Sequence, residues 1–147
     1  MILQSIDTYF LRVAALYALL GMSLGIWMGI SGDHGQYPTH AHINLLGWVS
    51  FALYGLIYRS VPAAAASRLA PWHFGFANLG AVLLLSGVAG TLAGHPAFEP
   101  LTAAGSMVTL LGAALFAVIL FTRQLGERPA RSRAEAAGTL APAAKAL

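Results

Sequence analysis

The stretch FLRVAALYALLGMSLGIWMGI, residues 10–30, contains only one charged side chain, Arg12. A helix needs roughly 20 mostly apolar residues to cross a hydrocarbon core of about 30 Å, so this stretch predicts a transmembrane helix. Residues 41–58, 74–92 and 101–121 have the same apolar character. Of the 147 residues, 58% are hydrophobic and 9% are charged, whereas soluble domains average about 25% charged residues. The sequence therefore predicts an all-α fold, an integral membrane four-helix bundle.

The chain is predicted to form one transmembrane domain, residues 1–126, followed by a flexible cytoplasmic tail, residues 127–147. The tail combines two prolines with repeated alanine and scattered charge, so it lacks a persistent apolar face. The first helix is longer than the roughly 7 to 15 apolar residues of a signal peptide, and no A-x-A cleavage pattern follows it. It is therefore predicted to stay in the membrane.

The basic residues predict the orientation of the bundle. With four helices, every Lys and Arg falls on one side: Arg12, Arg59, Arg68, Arg123, Arg128, Arg131, Arg133 and Lys145. The positive-inside rule then places both termini in the cytoplasm and the first and third connections at the periplasmic face of the inner membrane. Nucleic-acid binding is not expected, because these residues have no base-stacking aromatic side chains among them.

Five histidines stand out in a chain with so few charges, because polar side chains in or near a bilayer are costly and often mark function. His34, His40, His42 and His95 all fall at the predicted periplasmic face. His73 falls at the opposite face, on the order of 25 Å away, because the hydrocarbon is about 30 Å thick. The four outer histidines are thus the candidate site, and imidazole is a common ligand of haem iron and of other metals.

His40 and His42 are two residues apart, so in a helix their side chains leave the axis roughly 200° from each other. Pro38 favours a helix that begins before both of them, since proline is preferred in the first turn. The pair would then serve two different sites, with a wholly apolar face continuing from His42. If the helix began later, the pair could instead point the same way and form a copper or zinc site with His34 or His95.

Two motifs resemble a known family. The run HAHINLLGWVSFALYGLIYR, residues 40–59, resembles the His-x-His helix of the catalytic subunit I of haem-copper oxidases, most closely the cbb-type cytochrome c oxidases. The run WHFGFANLGAVLL, which starts at Trp72, resembles the following helix of that subunit. The resemblance implies that His40 matches the ligand of the high-spin haem and His42 the ligand of the low-spin haem, and that His73 is not a ligand.

The chain departs from that family in lacking most helices of the subunit, including those that carry the three copper-ligating histidines. A complete oxygen-reducing centre is therefore not expected. The resemblance predicts a membrane protein that binds haem b, related to subunit I, that transfers electrons or binds a diatomic gas such as nitric oxide or oxygen. A redox partner or quinol would then exchange electrons with it.

The second ligand of such a haem is left open by the sequence. His95 and His34 are the local candidates, followed by Met28 and by a histidine from a second protomer. Two other functions also stay open: copper or zinc binding through the four outer histidines, and a cofactor-free accessory or assembly subunit.

Gly21, Gly25 and Gly29 recur at every fourth position of the first helix, which predicts a flat strip where another helix packs closely. The strip favours packing within the bundle over packing between protomers. A bundle this short, however, has difficulty enclosing a whole haem, and the strip also offers a contact between protomers. A homo-oligomer is therefore the expected assembly.

Overall fold

The structure, a computed structural model, describes residues 5–124, with side chains through residue 122. It contains four long helices: α1 (Ile6–Ser31), α2 (Tyr37–Ser60), α3 (Ala70–Leu92) and α4 (Glu99–Gln124). Four helical stretches are long and apolar enough to cross a membrane, and no strand occurs within residues 5–124. The predicted all-α membrane bundle is confirmed, and the predicted tail lies outside the described residues.

Prolines and glycines set where the helices begin and end. Pro38 and Pro71 each lie in the first turn of a helix, α2 and α3, where the missing N–H costs no hydrogen bond. As a result α2 begins at Tyr37 and already includes His40. Gly32 follows α1 with φ +69° and donates its N–H to the carbonyl of Met28, a left-handed conformation that other residues rarely adopt.

The helix α2 is not uniform along its length. Residues Ile43–Ser50 form a π-helical segment between two α-helical ones, and the hydroxyl of Ser50 donates to the carbonyl of Leu45, five residues earlier. Such segments are rare and frequently occur at functional sites. This one begins directly after His42, the second histidine of the pair.

The helices pair as two antiparallel hairpins, α1 with α2 and α3 with α4. In the second hairpin, glycines spaced seven residues apart allow the backbones to touch. A Cβ at Gly80 would lie 2.6 Å from the backbone nitrogen of Thr109, and one at Gly87 2.5 Å from that of Thr102. Because lipid tails are as apolar as the helices, close packing of this kind is a main source of helix association in a bilayer.

In the first hairpin, the predicted glycine strip is used within the bundle. A Cβ at Gly21 would lie 2.7 Å from the Asn44 side chain, and one at Gly25 would lie 2.9 Å from the His40 ring. Gly29 has no such neighbour within 4 Å. Internal packing therefore accounts for the first two glycines of the strip.

Near the start of α1 and α3, the two hairpins join through a cluster of rings. This cluster, called here the aromatic joint, contains Phe10, Phe51, Tyr54, Tyr58, His73, Phe74 and Phe116. It lies at the end of the bundle that carries Arg59, called here the arginine end. There the Arg59 guanidinium donates to the buried carboxylate of Asp7, with an Nε–Oδ2 distance of 2.8 Å.

Candidate functional site

The opposite end of the bundle, called here the histidine end, contains His34, His40, His42 and His95. His42 is exposed, and its Nδ1 lies 2.7 Å from the carbonyl oxygen of Pro38. Because a carbonyl can only accept, Nδ1 carries the proton and Nε2 keeps its lone pair. Histidines that bind metals in proteins almost always have their other ring nitrogen held in this way. Nε2 is thus the His42 nitrogen that can accept a bond, as it is in His34, whose Nδ1 is also held by a backbone carbonyl.

The face of α2 that continues from His42 is apolar and uncovered. Leu45, Val49, Leu53 and Leu56 are all exposed along it. The face that continues from His40 is buried, with Gly47, Phe51, Gly55 and Tyr58 packed against neighbouring helices. The separation of the two histidines onto different sides of α2 agrees with the spacing argument.

An apolar pocket lies at the histidine end, and none of the four outer histidines is among the residues that line it. It has a volume of about 380 Å³ and is open on one side, and its lining is formed by Pro38, Val88, Thr91, Leu92, Glu99, Thr102 and Ala103. The proline that accepts the His42 hydrogen bond is one of these residues. Sites for small organic ligands are mostly apolar, with a few polar groups and volumes of about 300–1,000 Å³.

His40 has a different environment from His42. Its Nδ1 donates to the carbonyl of Gly21 on α1 at 2.9 Å, and the Asn44 amide nitrogen lies 3.3 Å from its Nε2. Asn44 also donates to the His40 carbonyl at 2.9 Å. His40 therefore links α1 to α2, and both of its ring nitrogens have close polar neighbours.

His34 and His95 lie in the two connections at this end, and both are exposed. The Nδ1 of His34 donates to the carbonyl of Gly32 at 3.0 Å. His95 follows Gly94, which has φ +88°, and its backbone N–H donates to the carbonyl of Gly90 at 3.1 Å. Within residues 5–124, no three His, Cys, Asp or Glu side chains come close enough to hold one metal ion. The four outer histidines thus do not form one shared cluster there.

His73 lies in the first turn of α3 and is completely buried at the arginine end. Its Nδ1 lies 2.9 Å from the hydroxyl of Tyr58, and Phe10 and Phe116 stack on its ring at 4.9 Å and 5.0 Å. Its Nε2 is buried without a hydrogen-bond partner. The sequence predicted that His73 lies far from the other histidines. It assigned no role to Tyr58, because no sequence pattern shows that the Tyr58 hydroxyl contacts the His73 ring.

Replacing Tyr58 by Phe is expected to destabilise the protein by about 1 kcal/mol, because it leaves the buried Nδ1 of His73 without its partner. The free energy of unfolding in detergent, followed by circular dichroism, measures the effect. Tyr54→Phe is the matched control. Tyr54 also contacts the His73 ring, with 4.6 Å between the ring centroids, but it does so through its aromatic ring, which phenylalanine keeps. Equal losses in the two variants would show that the Tyr58–His73 hydrogen bond contributes nothing.

Comparison with known proteins shows a similarity to an oxidase subunit. A cytochrome c oxidase subunit 1 homolog (bacteroid) of Bradyrhizobium diazoefficiens is 33% identical over 120 residues, which covers 60% of this chain and 22% of the relative. This similarity indicates a distant relation to subunit I of the haem-copper oxidases. The chain spans about a fifth of the length of that protein. No family model matches the chain, and no solved structure does.

Proposed function

We propose that this protein is a membrane electron-transfer protein that binds haem b, with His42 as an axial ligand. The observation that carries the proposal is the His42 ring, whose Nδ1 is held by the Pro38 carbonyl while Nε2 is left free to bind iron. The relation to an oxidase subunit I homolog supports haem over other cofactors. The chain contains no cysteine, so a covalently attached c-type haem is excluded and a b-type haem is the form that fits.

The histidine end offers apolar surroundings of the kind that a porphyrin requires. The pocket at this end is nearly all apolar, and Pro38, whose carbonyl accepts the His42 hydrogen bond, is one of its lining residues. When bound, the haem would supply one-electron redox chemistry. The protein would hold the iron through His42, orient the imidazole through Pro38 and keep water from the ring with apolar side chains.

Charge distribution supports a periplasmic location for this site. The connections at the histidine end, residues 32–36 and 93–95, contain no Lys or Arg, while Arg59 and Arg68 lie at the other end. By the positive-inside rule the arginine end would be cytoplasmic. The electron donor or acceptor would then be a periplasmic protein or a quinol in the outer part of the bilayer.

A reduced-minus-oxidised absorption spectrum of the purified full-length protein tests the proposal. We expect the sharp reduced bands of haem b, extracted as a non-covalent haem. Copper and zinc are measured on the same preparation. The proposal is overturned if the protein from haem-sufficient cells contains no haem and still binds none when haemin is added after purification. Bound copper or zinc in that preparation would then point to the metal-binding alternative.

A further inference from the structure

We infer that a polar pocket at the arginine end binds the phosphate group of an anionic phospholipid. The pocket has a volume of about 490 Å³ and is open on one side, and its lining is formed by Ala66, Ser67, Arg68, Leu69 and Thr122. It lies at the opposite end of the bundle from the histidine end. The inference therefore goes beyond the proposed function and does not depend on haem.

The pocket lies where three of the spanning helices end. Residues 66–69 belong to the connection between the spans Tyr37–Ser60 and Ala70–Leu92, and Thr122 is the last residue of the span Pro96–Thr122. Trp72, in the first turn of α3, is 65% exposed. Tryptophan is enriched at the level of the lipid headgroups. The pocket is thus at the depth where a bilayer presents its phosphates.

Arg68 gives the pocket its positive charge. Within residues 5–124 the acidic side chains are Asp7, Asp33 and Glu99; Asp7 is paired with Arg59, and the other two lie toward the histidine end. Arg68 therefore has no carboxylate partner in the described part of the chain, and the other residues lining the pocket are neutral. A ligand with one net negative charge complements such a site, and the guanidinium fork matches two phosphate oxygens.

Ser67 supplies a second hydrogen-bond donor. It is only 7% exposed, and its Oγ accepts the backbone N–H of Leu69 at 3.3 Å. Its hydroxyl hydrogen has no acceptor among the described residues and is free to donate to a phosphate oxygen. The Thr122 hydroxyl, in contrast, already donates to the Val118 carbonyl at 2.7 Å. The donors for a phosphate are thus Arg68 and Ser67.

The surroundings of the pocket favour a lipid over a soluble phosphate. Phe121, which precedes Thr122 on α4, is 74% exposed on a helix apolar enough to cross a membrane. Such a surface is covered by acyl chains in a bilayer. A phospholipid can place its phosphate in the pocket and its chains along the neighbouring apolar side chains, which inorganic phosphate cannot do.

The test is a titration of the purified full-length protein in detergent with dioctanoyl phosphatidylglycerol, with bound lipid counted by native mass spectrometry. Arg68→Gln should weaken binding by at least about fivefold, the factor that one basic side chain contributes near an anionic lipid surface. Ala66→Glu places a negative charge in the pocket and should also weaken binding. Ser60→Glu is the matched control, because Ser60 is exposed at the same end but does not line the pocket. It should bind the lipid like the wild type.

Two further ligands test the chemistry on the wild type, and this comparison stays decisive if a variant does not fold by circular dichroism. Dioctanoyl phosphatidylcholine has the same phosphate and chains but no net charge, so it should bind more weakly. Inorganic phosphate should not displace the phosphatidylglycerol. The inference is wrong if the two lipids bind equally, if inorganic phosphate competes, or if Arg68→Gln loses no more affinity than Ser60→Glu. None of these outcomes affects the proposal of haem binding at the other end.

Discussion

Replacing His42 by Ala is expected to lower the haem content of the purified protein by at least about tenfold. Changes to groups that only orient a metal ligand typically cost about 10–100-fold in affinity, and loss of the ligand itself should cost no less. His42 is exposed, so the substitution should leave the fold intact. The pyridine haemochrome assay gives haem per chain, and circular dichroism verifies the helix content.

His40→Ala is the informative comparison, because the oxidase resemblance implies that both histidines of the pair are ligands. In this structure His40 bonds to the Gly21 carbonyl and fills the space beside Gly25. Its removal should therefore lower the unfolding free energy while the haem spectrum of the folded fraction is unchanged. A folded His40→Ala protein without haem, together with a haem-replete His42→Ala protein, would reverse our assignment.

The second large effect is expected at the contact between α3 and α4. A Cβ at Gly105 would lie 2.3 Å from the backbone nitrogen of Leu84 and 2.6 Å from its Cα. Neither atom belongs to a side chain that can rotate away, so Gly105→Ala must push the two helices apart. We expect a loss of about 1–3 kcal/mol, the typical cost of overpacking a well-packed interface.

Gly75→Ala is the matched control for this experiment. Gly75 is also a helical glycine, on α3, but a Cβ there meets no atom within 4 Å. Alanine is the better helix former by roughly 0.5–1 kcal/mol in water, so this variant should not be destabilised. Both are measured by unfolding in detergent at matched protein concentration. Gly105→Ala as stable as the wild type would mean that the hairpin does not pack this closely.

The ion pair at the arginine end, between Asp7 and Arg59, also joins residues that sequence patterns do not place together. Asp7 lies in the first turn of α1 and Arg59 in the last turn of α2. The hydroxyl of Ser5 donates to Asp7, and the Arg59 guanidinium satisfies its other carboxylate oxygen. A carboxylate this well shielded from water requires such partners. The antiparallel pairing of α1 and α2 is what supplies them.

The sequence by itself determined the four spanning helices, the separation of His40 from His42 and the location of His73 far from the other histidines. These follow from local rules: a bilayer demands about 20 apolar residues per helix, proline marks a helix start, and residues two apart in a helix point to different sides. Which helix faces met was decided only by the tertiary structure. The contacts of Gly105 with Leu84, of Tyr58 with His73 and of His40 with Gly21 join residues distant in the chain. In a bilayer all helix faces are apolar, so close steric fit rather than hydrophobic patterning selects the partners.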